Sequence, residues 1–217
     1  MWATSHNGWY GEAMGRPRQF DESGLLDAAT ELFWSQGFDE TSVEDISRAT
    51  GVGNGSVYAA YGNKQGLFLA AFERYCERRA RFVREVVGSA PGSARAAVRA
   101  LFQAIIDDCA AQPNRRGCLM INSIAQLSGR IPEVATIGAK TTAAMEQGVA
   151  ERLSPAVRLG DGKVDDAVLS AHSANIIVVA QGLIQLSRLG TPRARLGEIA
   201  DVTSAGLPSA WADRVAG

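Results

Sequence analysis

The sequence predicts an all-α protein, and three observations carry that prediction. From Phe20 onward, apolar residues recur every three or four positions in nearly every segment, the spacing of one helix face. Sustained alternation of β-branched residues, the mark of a strand, occurs nowhere along the chain. Glycine and proline fall between the periodic segments, at Pro91-Gly92, Pro113, Gly129, Pro132, Pro155, Gly160, Gly162, Gly190 and Pro192.

Taken in order, residues 1–15 lack periodicity and are expected to form a disordered leader, with Met14 a second candidate start. Leu25, Ala28, Ala29, Leu32 and Phe33 then share one helix face, and Gly37 stops that helix. Further helices are expected over 42–50, 54–61, 64–87, 94–111, 118–128, 132–153, 164–189 and 195–205. The segment 164–189 is apolar on more than one side, through residues such as Leu169, Ile176, Ile177, Val179 and Leu183. Such a helix is expected to be buried both against its own domain and against a second copy of the chain.

Composition bounds the function. The 217 residues are 46% hydrophobic and 21% charged, with 22 basic against 23 acidic groups, which suits a folded chain and disfavours non-specific coating of nucleic acid or membrane. Three cysteines, Cys76, Cys109 and Cys118, are too few for a disulfide scaffold and point to a reducing cytoplasm. His6 and His172 cannot form a zinc site with cysteines so scattered, so no metal or cofactor is expected. The longest strongly apolar run, Ala174 to Ala180, is too short for a bilayer, and no membrane partner is expected. Position matters more than the total: residues 1–75 hold five basic and ten acidic groups, whereas 76–217 hold seventeen and thirteen.

Chemistry concentrates between Thr41 and Leu67. Thr41 and Glu44 have the spacing of a capping box, and Val43, Ile46 and Ala49 share the inner face of a short helix. Gly51 lets the chain leave that helix, and a second short helix from Asn54 turns Val57 and Tyr61 inward. Two short helices joined by a glycine turn form a helix-turn-helix, whose second helix enters the DNA major groove. Its outward residues Asn54, Gly55, Ser56, Ala59 and Ala60 are small, so the backbone can sit deep.

This stretch resembles the TetR family of bacterial transcriptional regulators. The family signature appears as Thr41-Ser42-Val43, Asp45-Ile46, Gly51-Val52-Gly53, Gly55-Ser56-Val57-Tyr58, Tyr61, Lys64 and Leu67, after a helix carrying Ala29, Leu32, Phe33, Gly37 and Phe38. The resemblance covers about 55 residues. After the leader at 1–15, it implies an N-terminal three-helix DNA-binding domain at 16–63 and a C-terminal ligand-sensing and dimerisation domain at 64–217. It also implies a homodimer on double-stranded operator DNA, a repressor released by an unknown small-molecule effector. Phosphate contact falls to Thr41, Tyr58 and Lys64, and base contact to Asn54, Ser56 and Ala59. Gly53 stands where the family has serine and Ala60 where it has histidine or tyrosine, so two backbone contacts are lost. Arg16 and Arg18 would add contacts if that arm reaches DNA. Core packing competes with these roles for Tyr58 and Tyr61, and a solvated helix start competes for Lys64.

The effector pocket is expected among helices 94–111, 118–128, 132–153 and 164–189. Its polar candidates are Asn122, Gln126, His172, Asn175 and Gln181, with Phe102, Ile105, Ile121 and Met145 as walls. A satisfied core or interface hydrogen bond is the competing role for each polar residue. Cys118 follows Arg115-Arg116-Gly117 and begins a helix, so a thiolate that senses electrophiles or oxidants is a second route to release. Packing at a helix start is the plainer role, and a Cys109–Cys118 disulfide is left open. A helical enzyme fits poorly: the glycines at 51, 53 and 55 follow no strand, and Asp107-Asp108 and Asp165-Asp166 are adjacent and so on different helix faces.

Overall fold

A computed structural model describes residues 20–158 and 166–208. The expected leader, Arg16, Arg18 and residues 164–165 lie outside the described residues. Nine α-helices fill the described part: α1 (Glu22–Gln36), α2 (Val43–Thr50), α3 (Asn54–Tyr61), α4 (Lys64–Ser89), α5 (Ala94–Ala111), α6 (Leu119–Leu127), α7 (Pro132–Arg158), α8 (Asp166–Arg188) and α9 (Arg193–Ala205). A 3₁₀ turn, Pro113–Arg115, joins α5 to the α6 approach. The largest departure from the expected ends is in α7, which runs through Pro155 to Arg158 although the proline removes one N–H from the ladder.

Helix α4 is the spine. It packs on α1 along its first half and on α7 further along, while α5 lies against α8 and α9. One continuous core crosses the expected boundary at residue 63, because α4 contributes Leu67, Phe68, Ala71 and Phe72 to it. Phe68 meets Phe33 and Phe38 edge-on at 5.1 Å each, and Trp34 meets Tyr75 edge-on at 5.2 Å. Each such pair adds about 0.5–1.5 kcal/mol beyond burial, so the three-helix head is set firmly on α4.

Helix α8 has two faces. Ser173, Ile176, Ile177, Ala180, Leu183 and Ile184 are buried. Val168, Ala171, Asn175, Val178, Gln185 and Leu189 are exposed, with half-buried Gly182 among them, at alternating spacings of three and four. By length and composition this helix could cross a bilayer; one side of it is spent on α5, α7 and α9.

Candidate nucleic-acid interface

The first turn of α2 is closed by Ser42, which corrects the cap expected at Thr41. Ser42 Oγ accepts the Asp45 amide at 3.1 Å, and the Ser42 amide donates to Asp45 Oδ2 at 3.1 Å. Thr41 lies one residue earlier with its side chain buried, and its hydroxyl donates to the Gly37 carbonyl at 2.7 Å. The hydroxyl proton expected to serve a phosphate is thus engaged inside the head.

Gly51 ends α2 with φ 73 and ψ 1, a left-handed conformation, and its amide reaches the Ser47 carbonyl at 2.8 Å. The chain then re-enters helix at Gly53, whose φ of −62 and ψ of 142 are those of an N-cap without a side chain. Val57 is 1% exposed and anchors α3. Tyr61 is half-buried, its hydroxyl donating to Glu22 Oε1 at 3.0 Å. Facing outward are Gly55, Ser56, Tyr58 and Ala59, with Asn54 and Ala60 half-exposed. That outer face bears no charge.

Nearby acids are tied down. Glu44 accepts from Asn54 Nδ2 at 3.3 Å, which fixes the amide that leads α3. The Ser42 hydroxyl and amide, helped by Arg48, hold the Asp45 carboxyl below its ordinary range. A hydrogen bond from Arg130 does the same for Asp39, in a bidentate pair of 2.8 and 3.1 Å that links the head to the α6–α7 turn. Sequence reasoning missed this link, whose partners lie 91 residues apart.

Lys64 is neither a solvated helix start nor a free cation. Its ammonium donates to the carbonyls of Phe38 at 3.0 Å and Asp39 at 3.3 Å and sits 4.5 Å from the Phe38 ring. One N–H is left for any phosphate.

The expected pocket residues separate. Phe102, Ile105 and Met145 are buried in the core, Ile121 is partly buried, and His172 and Gln181 are half-buried. Asn175 lies on the exposed stripe of α8, away from the core. Asn122 donates to the Arg116 carbonyl at 2.8 Å and accepts from Arg188 at 2.6 Å, while Gln126 is exposed. Cys118 is 6% exposed, and the Tyr75 hydroxyl sits 3.4 Å from its sulfur. The two arginines expected to favour its thiolate turn elsewhere. Arg116 stacks 3.7 Å over Trp34 and pairs with Glu31 at 2.5 Å, and Arg115 reaches Gly190. Cys109 and Cys118 are free thiols, so no disulfide joins them.

Residues 25–71 match the family model described as bacterial regulatory proteins, tetR family. The chain is 30% identical over 193 residues to the HTH-type transcriptional repressor ComR of Escherichia coli (strain K12), covering 88% of this chain and 91% of ComR. It is 28% identical to the uncharacterized HTH-type transcriptional regulator YezE of Bacillus subtilis (strain 168), covering 88% and 97%. A solved structure of the TetR family transcriptional regulator CifR, a cysteine mutant complexed with 26bp double-strand operator DNA, is 26% identical with a TM-score of 0.73, covering 89% of this chain and all of that one.

Proposed function

The chain belongs to the TetR family of bacterial transcriptional regulators, and from that premise we propose that it is a homodimeric, cytoplasmic repressor released from its operator by a small molecule in its C-terminal body. It is a DNA-binding transcription regulator and not an enzyme. One observation carries the proposal: α3 presents the small, uncharged residues Gly55, Ser56 and Ala59 outward, with Tyr58 the bulky side chain beside them. Such a face lets a helix settle deep in the major groove, where a hydroxyl reaches a base edge and an alanine methyl meets a thymine methyl. Asn54, Ser56 and Ala59 are assigned to bases, and Gly53, Tyr58 and the remaining N–H of Lys64 to backbone phosphates.

Release follows from the joint at α4. A ligand that fits one arrangement of head and body better than another shifts the population between them and changes the spacing of two heads. Covalent sensing at Cys118 has less behind it, because the thiol is buried and both neighbouring arginines point away.

The test is a titration of duplex DNA from the region upstream of the coding sequence, at two salt concentrations. Binding is expected to be sequence-selective and steeply salt-dependent. Ala59→Glu adds a helix-favouring acid to the exposed face, so the fold survives while affinity falls on the order of a hundredfold from like-charge repulsion. Equal affinity of Ala59→Glu and wild type would overturn the assignment of α3.

A further inference from the structure

A cavity of about 320 Å³ lies between the head and the body, where neither domain alone would form it. The end of α1 and Phe68 of α4 make one side; α6 and Arg188 of α8 make the other. Phe33, Phe68, Leu119 and Leu127 back it but are themselves buried, so polar groups make most of the surface it presents. Its rim is exposed at Gln126 and Arg188.

Charge decides what such a space accepts. Arg116, on the wall, is neutralised by Glu31. Arg188 pairs with no carboxylate among the described residues; one guanidinium N–H goes to Asn122 Oδ1 at 2.6 Å and the rest are uncommitted. Its stem also passes close to Gly117. Gly117, at φ 72, lies so close that a Cβ there would come within 3.3 Å of Arg188 Cδ. Beside the cavity, the Trp34 indole N–H is buried and has no acceptor. Aromatic residues in the lining, a mostly polar accessible surface and a guanidinium without a carboxylate partner together suit a small ring that carries one negative group. A volume near 320 Å³ is at the small end of ligand cavities.

We propose that this interdomain cavity binds a small aromatic carboxylate, with Arg188 as its anion partner and Trp34 as part of its wall. Because one wall belongs to the head and the other to the body, a ligand there has different affinities for different head positions and so biases them. This coupling rests on the regulator reading above.

Benzoate titrated into the full chain without DNA is expected to give a saturable change in tryptophan emission, absent in Trp34→Phe. Benzamide, its uncharged analogue, should bind at least about tenfold more weakly, the measure of a charge-assisted hydrogen bond. Arg188→Gln should bring benzoate down to the benzamide level with an unchanged helical circular dichroism spectrum. Equal binding of the two probes, no saturable signal, or a benzoate response that survives in Arg188→Gln overturns the site. Operator affinity is measured alongside and should fall about tenfold at saturating benzoate; binding of benzoate with no such fall overturns the coupling. A wild type that binds benzoate yet ignores operator DNA overturns the regulator reading and leaves the cavity assigned.

Discussion

Ser42 and Asp45 close the first turn of α2 from both sides, each bonding the other's backbone amide. Ser42→Ala removes one half and is expected to cost ~1 kcal/mol, read as a lower urea midpoint. The pH dependence has a definite sign. Asp45 is held below 3.8 in the folded chain by its bonds to Ser42, so that stabilisation is present above about pH 3.8 and lost as pH falls through the lowered folded value. The gap between wild type and Ser42→Ala should therefore narrow only in strong acid; a gap that narrows between pH 7 and 5 would count against the pairing. Spacing alone could not choose between Thr41 with Glu44 and Ser42 with Asp45, since two hydroxyls and two acids stand in tandem. Burial chose: Thr41 is 1% exposed and turned under α1, leaving Ser42 to meet the helix.

Two glycines on either side of α3, one ending α2 and one inside α4, constrain its placement for different reasons. Gly51 needs its left-handed φ of 73, but a Cβ there would meet nothing within 4 Å. Gly51→Ala is thus a purely conformational cost, ~1–2 kcal/mol. Gly66, in the first turn of α4, has the opposite problem. A Cβ there would lie inside the envelope of the Tyr61 carbonyl oxygen, a backbone atom that cannot rotate aside. Gly66→Ala is expected to push α3 away from α4, costing at least about 2–3 kcal/mol and most of the operator affinity. Urea denaturation and a DNA titration of both variants check the order, and a milder Gly66→Ala would sink it. Elements such as these were legible in the sequence because their determinants are local: a periodic apolar face, a cap, a stop glycine. The Gly66 contact was not, because it depends on where α3 ends relative to a different helix.

At the scale of the molecule, what the sequence hid is what joins distant segments. Trp34, Asn122 and Arg188 line one cavity from three separate helices, and no spacing rule connects them. The helix-turn-helix was readable since it is contained in Thr41 to Leu67. The outer stripe of α8 lies between these cases: its apolar excess was visible, and the structure separates the buried stripe from the exposed one. No Asp, Glu, Lys or Arg stands between Asp166 and Arg188. Val178 is 64% exposed there, Leu189 is 81% exposed just beyond the helix end, and Val202 on α9 is 74% exposed. An uncharged stripe of that length, with a further exposed valine on α9, is what a second copy would cover. The chain is therefore expected to sediment at twice 23.0 kDa. Val178→Asp with Val202→Asp would bury four carboxylates in that contact and should yield a folded monomer, because neither valine serves the chain's own core. Operator affinity should fall with it, since a lone head keeps only half the contacts. A double variant that still sediments at twice 23.0 kDa would move the dimer contact elsewhere. One that becomes monomeric yet holds full-length operator DNA as tightly as wild type would mean that the two heads do not act together.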